Sequence, residues 1–226
     1  MLSGPGVTGR SIAVSGRSEA LAALGEWMRG VGQRRRVRLW LSGGLCRPFV
    51  LAPIHGVADR AELVKIALAS AGQRTGLDGA LAVWVEHRAA TAGRVVVAVQ
   101  AELREQLVAT VASAGWRVAS IQPWWSEVLR RSVANASAAP VALAVQDCDA
   151  LTFIHGQARD IHAASTYTPV LDAGSARGIV TRACVSVGLD DAAVRRVLLS
   201  NPAQPVDAPD QAQGAWTPSP WIEVVS

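Results

Sequence analysis

The sequence is poor in several residue types that mark common classes of protein. Of its 226 residues, 18% are charged, 5% are aromatic and three are cysteines. Half of the residues are hydrophobic, which excludes an intrinsically disordered chain because such chains have too little apolar surface to form a core. Cys46, Cys148 and Cys184 are widely separated, which excludes a disulfide framework; we interpret them as small buried side chains.

Long uncharged runs are also missing. The longest in the middle of the chain covers residues 132–146 and contains Asn135 and Pro140. A transmembrane helix needs about 20 apolar residues, so none is predicted. The start of the chain lacks the apolar stretch of a signal peptide. We therefore expect a cytosolic protein.

Motifs for nucleotide chemistry and catalysis are absent or misplaced. No P-loop and no Gly-x-Ser-x-Gly motif occurs. Residues 4–9 match Gly-x-Gly-x-x-Gly by letter, but no strand precedes them as a dinucleotide-binding turn requires. Asp147 and Asp149 could bind a metal or act as a carboxylate pair, yet at this spacing in a turn we interpret them as solvated residues. No catalytic, cofactor-binding or metal-binding residue is predicted.

Charge is unevenly distributed along the chain. Residues 1–60 carry nine arginines and three acidic residues (net +6), residues 61–140 a net +2, and residues 141–226 a net −4. The split indicates two units with different partners. Within the basic part, Arg34, Arg35 and Arg36 are expected to close a helix at its C-terminal dipole, and they are candidates for partner binding.

Hydrophobic periodicity predicts alternating helices and strands in the first half. A helical pattern begins at Ser18. Residues 37–41 and 46–51 are predicted to pair as a hairpin around the turn at 42–44. The other predicted elements are a helix from a cap at Asp59 to Gly72, strands over 80–86, 94–99 and 116–121, a helix over 101–114 with Leu103, Leu107, Val108 and Val111 inward, and a helix opened by Pro123.

The second half predicts a strand meander followed by a helix. Its strands cover 141–145, 151–154 and 160–164, and the helix, capped by Ser175, covers 176–187. Residues 194–199 are predicted as a strand, with helix as the competing assignment. The Ser/Ala/Asn stretch before the meander marks a boundary between two subdomains, and a Pro-rich tail follows them. The predicted divisions are 11–135, 140–200 and 201–226.

Tryptophan dominates the small aromatic content, with eight of the eleven aromatic residues. Trp27, Trp40, Trp84 and Trp116 lie in periodic runs and are predicted to be core residues. Trp124 and Trp125 are adjacent at a strand-to-helix corner, where we expect one at most to be buried. Exposed tryptophan is favoured at interfaces. The partner-binding candidates are therefore Trp124, Trp125, Trp216 and Trp221, with core packing as the alternative.

The order of elements resembles a known family. The stretch RVVVAVQAELREQLVATVASAGWRVASIQPWW is similar to part of the actin-like cytoplasmic domain of the type II secretion inner-membrane platform protein L (GspL) and its type IV pilus relative PilM. The resemblance covers roughly residues 12–200. The matching features are the strand at 95–99, the helix at 102–114, the turn at 114–116, the strand at 118–121, Pro123 and the edge strand at 194–200.

The resemblance implies an actin-like α/β fold of the ribonuclease H-like class, with mixed sheets, flanking helices and two subdomains. Actin-like ATPases bind phosphate on a glycine-containing strand turn, because only glycine lets phosphate approach the backbone. The matching residues 146–152 contain no glycine and two aspartates, and Asn201-Pro202 stands where the family has Gly-Gly. The expectation is a degenerate nucleotide site and no cofactor, with ATP disfavoured.

The resemblance also implies a function. The expected role is a non-catalytic adaptor at the cytoplasmic face of the bacterial inner membrane, docking a secretion or pilus ATPase or a platform protein. A homodimer is a further expectation. The alternative is an actin-like ATPase or sugar-kinase-type phosphotransferase. Nucleic-acid binding is disfavoured, despite a pI near 9.6, because the second half is acidic and no exposed aromatics interleave with the basic residues.

Overall fold

The structure is a computed structural model that describes residues 17–31, 36–54, 56–57, 59–86, 93–134, 140–147, 149–157, 160–200 and 217–220. Its helices are α1 (Arg17–Gly30), α2 (Arg60–Thr75), α3 (Ala101–Ser113), α4 (Trp124–Ala134) and α5 (Ala173–Val187). Its strands are β1 (Arg36–Leu41), β2 (Cys46–Leu51), β3 (Leu81–Val85), β4 (Arg94–Gln100), β5 (Arg117–Pro123), β6 (Pro140–Asp147), β7 (Ala150–Gln157), β8 (Asp160–Tyr167), β9 (Arg195–Ser200) and β10 (Thr217–Pro220).

The first unit covers residues 17–134, from α1 to α4, and contains two small sheets. β4 lies between β2 and β3 and is antiparallel to both, whereas β1 and β5 form a separate parallel pair. α2 packs on the three-stranded sheet through Leu63, Ala67 and Ala71. α1 and α3 pack on each other beside the β1–β5 pair, where Met28, Val37, Val111 and Trp116 form a buried cluster.

The predicted hairpin at residues 37–51 is wrong in its pairing. Both strands and the turn between them exist, but β1 pairs with β5 and β2 pairs with β4. Turn residues specify that the chain reverses, not which strands pair afterwards. Each strand here finds a partner distant in sequence that shares its buried core, so long-range packing decides the pairing.

The helix ends follow local chemistry, with differences from prediction in α2 and α5. The Asp59 side chain accepts a hydrogen bond from the Ala61 N–H at 3.2 Å and caps α2 as predicted. The helix then passes Gly72 and ends before Gly76, whose φ of +64° suits glycine. α5 is capped by Asp172 rather than by Ser175 alone. The Asp172 side chain accepts from the Ser175 N–H, and the Ser175 hydroxyl oxygen accepts from the Asp172 N–H. Within α3, Val108 was predicted to point inward but is exposed.

The second unit covers residues 140–220, from β6 to β10 with α5. Its strands form a five-stranded mixed sheet in the order β10-β9-β6-β7-β8. The predicted meander is confirmed, because β7 is antiparallel to both β6 and β8. Residues 195–200 form a strand rather than a helix, and β9 is parallel to β6. The segment expected to be a Pro-rich tail contributes β10, which is parallel to β9.

Two tryptophans of α4 lie in a core that both units share. Leu143 and Val145 of β6 face a core that contains Trp124 and Trp125 of α4, and Trp40 of β1 and Val97 of β4 pack against it. The other face of the same sheet is covered by α5, whose Val180 and Ala183 meet Phe153 and Leu151. Among the described helices, none is long and apolar enough to cross a membrane.

Candidate functional site

The turn between β1 and β2 is built from Ser42, Gly43 and Gly44. The backbone N–H groups of Leu45 and Cys46 both donate to the carbonyl oxygen of Ser42, each at 3.0 Å. The N–H of Gly44 donates to the Ser42 hydroxyl oxygen at 3.1 Å. The N–H of Gly43 is left for a partner outside the turn. Successive backbone N–H groups in such a glycine-containing turn form a site that favours an anion.

The anion in this turn is a carboxylate of the same chain. Asp147, the last residue of β6, is only 1% exposed. One of its oxygens accepts from the Ser42 hydroxyl at 2.8 Å, and the other accepts from the Gly43 N–H at 2.8 Å. These charge-assisted bonds join the β1–β2 turn of the first unit to the β6–β7 turn of the second.

Burial raises the pKa of Asp147 from 3.8 to about 6. The hydrogen bonds from Gly43 and Ser42 favour the ionised form and oppose this rise, whereas the nearby charge of Asp149 adds to it. Burial and Asp147 together raise the pKa of the neighbouring Cys46 thiol to about 12. Cys46 is therefore a neutral buried side chain and not a nucleophile.

The turns can approach this closely because residue 43 is glycine. A Cβ atom at this position would overlap with Thr152 Oγ1 of β7. That hydroxyl in turn lies 2.9 Å from the hydroxyl of Thr166 on β8. The glycine thus lets the first unit press directly against the second sheet.

Arg47 provides a second link between the units. Its guanidinium donates to the carbonyl oxygens of Gly44 at 3.1 Å and Thr75 at 2.8 Å, both in the first unit. It also donates to the Thr168 hydroxyl of the second unit at 2.9 Å. Burial lowers the pKa of Arg47 and the charge of Asp149 opposes the shift, and arginine remains charged in proteins.

The anion position at this contact between the two turns is already occupied. The Asp147 carboxylate already takes the Gly43 N–H, and a phosphate placed there would meet two aspartate charges. A general base needs access to the proton that it removes, and Asp147 is almost fully buried. In the described ranges, no group of three or more His, Cys, Asp or Glu residues is placed to hold a metal ion.

No protein-family model matches this sequence, and no curated protein matches it. Solved structures do match. The cytoplasmic domain of EpsL, an inner-membrane component of the type II secretion system of Vibrio cholerae, aligns with a TM-score of 0.54 at 14% identity, over 89% of this chain and 75% of that one. This chain shares the fold of the EpsL cytoplasmic domain. The predicted actin-like α/β class is thereby confirmed.

Two further structures are similar at lower scores. A Bacteroides thetaiotaomicron protein with an actin-like ATPase fold and unknown function has a TM-score of 0.49 at 8% identity, covering 74% of this chain and 60% of its own. The PilM–PilN type IV pilus biogenesis complex gives 0.48 at 12%, covering 84% and 57%. The chain thus spans less than two thirds of the length of either of these two.

The structure corrects the tryptophan prediction. Trp124 and Trp125 are both buried, each 2% exposed, so the expectation that one at most could be buried is wrong. The indole N–H of Trp125 donates to the Cys46 carbonyl oxygen at 3.1 Å. Adjacent helical residues point about 100° apart, yet both rings lie in the single core that β6 and β7 complete, so both find apolar surroundings. Neither ring is available to a partner.

The other predicted partner-binding residues divide into two groups. Arg36 does not end a helix; it is the exposed first residue of β1. Arg34 and Arg35 lie outside the described residues, as do Trp216, Trp221 and Cys148. Trp27 and Trp116 pack together with ring centroids 6.2 Å apart, which agrees with their prediction as core residues.

Sequence reasoning missed Asp147 as the centre of the junction. It was interpreted as a solvated turn residue, and only Asp149 is exposed. Local sequence carries one weak signal, an aspartate that ends a strand of apolar residues. Its burial depends on a turn 104 residues earlier, so no window along the chain contains both halves of the contact.

Proposed function

We propose that this chain is a non-catalytic adaptor in a type II secretion or type IV pilus assembly platform, at the cytoplasmic face of the bacterial inner membrane. It docks a secretion or pilus ATPase or the cytoplasmic tail of a platform protein. The observation that carries the proposal is the fold shared with the EpsL cytoplasmic domain over 89% of this chain. EpsL is an inner-membrane component of such a secretion system.

The non-catalytic part of the proposal rests on Asp147. An actin-like phosphotransferase or ATPase must hold phosphate with backbone N–H groups. Here the Gly43 N–H and the Ser42 hydroxyl already donate to a buried carboxylate at 2.8 Å each. Nucleotide would have to displace this carboxylate against its charge, so we expect no ATP binding and no cofactor.

The charge distribution supports a position between lipid and protein. The first 60 residues carry a net +6, and exposed Arg36 and Arg38 lie on β1. Basic residues near an anionic membrane surface each contribute about 1 kcal/mol of attraction. Residues 141–226 carry a net −4 and would face a basic protein partner.

Binding to platform components is the direct test. The purified chain is titrated, by biolayer interferometry, against the assembly ATPase and the cytoplasmic segments of platform proteins encoded beside it. We expect micromolar or tighter binding to at least one of them. Absence of binding to all of them overturns the adaptor role. Light scattering on the same sample measures whether the chain is a homodimer.

Vesicle binding tests the membrane-facing part separately. The double variant Arg36→Glu with Arg38→Glu should bind vesicles of phosphatidylcholine and phosphatidylglycerol at least about tenfold more weakly than the wild type. The control is Arg74→Glu with Arg104→Glu, which makes the same charge change at exposed positions of α2 and α3. Equal weakening by both pairs would mean that net charge, not this surface, attracts the membrane.

Calorimetry with ATP and Mg²⁺ decides between the adaptor and the ATPase or phosphotransferase alternative. We expect no heat of binding at ATP concentrations of about 1 mM, because Asp147 occupies the anion position of the turn. Asp147→Asn is the informative second sample, since it removes the charge and keeps the size of the side chain. Micromolar binding by the wild type would replace the adaptor with the enzyme.

A further inference from the structure

The last described strand of the chain has an unusual backbone. β10 is the edge strand of the five-stranded sheet and runs parallel to β9, with Thr217 opposite Val197 and Pro220 opposite Ser200. Two of its four residues, Pro218 and Pro220, have no backbone N–H. Only Thr217 and Ser219 can therefore donate within the strand.

The alternation of proline gives β10 two different sides. Successive residues of a parallel strand direct their backbone groups to opposite sides of the strand. Because proline cannot donate, the backbone donors from β10 to its partner β9 must be Thr217 and Ser219, and the proline nitrogens then face the outer side. Proline in sheets is confined to such edges because it cannot donate to a further strand. β10 therefore occupies the β9 edge and prevents another strand from being added beyond it.

β9 can pair with a strand on each of its two sides. Its N-terminal part pairs with β6, from Arg195 opposite Leu143 to Leu198 opposite Gln146. Its C-terminal part, from Val197 to Ser200, pairs with β10. With β10 removed, that part would be an open parallel edge on the remaining four-stranded sheet of β9, β6, β7 and β8. Open edges of this kind bind extended peptides by main-chain hydrogen bonds.

We propose that the β9 edge is a docking site for an extended peptide segment, and that the chain's own β10 occupies it in cis. The partner is a protein segment that adds parallel to β9 and carries non-proline residues at the two positions equivalent to Thr217 and Ser219. β10 can exchange with such a partner because it pairs with β9 through only four residues, of which only two have a backbone N–H to donate. The proposal concerns this edge alone and does not depend on which assembly machine the chain serves.

The experiment measures competition between the tethered strand and a free copy of it. The probe is a fluorescent peptide of residues 212–226, and the proteins are the full chain and its Ser219→Pro variant, which loses one of the two donors. A tethered strand acts at an effective concentration on the order of 1 mM. The wild-type chain should therefore bind the peptide at least about tenfold more weakly than the Ser219→Pro chain.

Two controls assign the effect to the strand. Ser219→Ala keeps the backbone N–H, so that chain should behave as the wild type. A peptide that itself carries Ser219→Pro should lose its binding to the Ser219→Pro chain. Hydrogen exchange should show that the β9 amides lose protection in the Ser219→Pro chain and regain it with the wild-type peptide.

Three results would refute the proposal. No binding of the peptide to the Ser219→Pro chain at concentrations of about 1 mM would overturn the β9 edge as a docking site. Equal affinity of the wild-type and Ser219→Pro chains would overturn the occupation by β10. Peptide binding without renewed protection of β9 would place the docking site elsewhere and also refute the proposal.

Discussion

The carboxylate of Asp147 lies 2.8 Å from the backbone nitrogen of Gly43, which precedes it in sequence by 104 residues. This contact brings together two turns, one from each unit, and it fills an anion-binding turn with a side chain. The Ser42 hydroxyl donates to the same carboxylate. The stability of the protein should therefore depend on the space at residue 43 and on the protonation of Asp147.

The Thr152 hydroxyl should limit the size of the side chain that fits at residue 43. Gly43→Ala is expected to reduce the free energy of unfolding by about 1–3 kcal/mol, because the new Cβ overlaps with Thr152 Oγ1. Thr152→Ala in the same chain should recover at least about 1 kcal/mol, whereas Thr152→Val, which puts a methyl group in place of the hydroxyl, should not. Urea unfolding of the single and double variants measures the coupling. Additive effects would show that the overlap is relieved in another way.

Stability should fall with rising pH in a window set by Asp147. Its pKa is raised from 3.8 to about 6, so between about pH 4 and pH 6 the folded state binds more protons than the unfolded state. The free energy of unfolding contributed by this group is thus fully present below pH 4 and is lost as the pH approaches and passes 6. The total loss is about 3 kcal/mol. Asp147→Asn should lack this decline.

The measurement is the difference between the pH profiles of wild type and Asp147→Asn in urea unfolding. Subtraction removes the other carboxylates, which titrate in both proteins. Parallel profiles would contradict the raised pKa. Ser42→Ala should shift the decline to higher pH, because it removes a donor that favours the ionised carboxylate.

Arg47 should need its guanidinium fork. Arg47→Lys is expected to reduce the free energy of unfolding by about 2 kcal/mol, because a single ammonium cannot reach the carbonyl oxygens of Gly44 and Thr75 and the Thr168 hydroxyl together. Arg38→Lys, on the exposed side of β1, is the matched control and should stay within about 0.5 kcal/mol of the wild type. Similar losses in both variants would mean that the three bonds contribute little.

Trp125 should act as a core residue. Trp125→Phe loses the hydrogen bond to the Cys46 carbonyl oxygen and is expected to cost about 1–2 kcal/mol. Trp125→Ala should cost about 3–5 kcal/mol because it leaves a cavity at the contact between the units. Thermal unfolding provides the measurement. A Trp125→Ala chain with unchanged melting temperature and weaker partner binding would restore the interface role predicted from sequence.

Local signals predicted most elements of the second unit. Alternating apolar residues of β6 serve two cores, with Leu143 and Val145 on one face and Ala144 on the other, and the meander follows from its short polar turns. Gly188, with φ of +68°, ends α5 as predicted. These features depend on residues near one another, where backbone preference and burial pattern agree.

Predictions failed where a residue's environment comes from a distant part of the chain. β1 and β2 were paired because they are adjacent, although each shares a core with another strand. Only one of Trp124 and Trp125 was expected to be buried, because the core that buries both of them is completed by β6, which comes later in the chain. The edge strand β10 lacks apolar alternation and contains two prolines, so nothing local indicates a strand.

The sequence by itself determined the α/β class, the resemblance to a secretion-platform fold and the absence of a recognised nucleotide motif, because spacing and composition encode them directly. Tertiary structure alone decided that Asp147 is a buried anion in the Ser42–Gly43 turn and that both corner tryptophans join the two units. Burial and pKa are properties of the surroundings, and these surroundings are assembled from segments about a hundred residues apart.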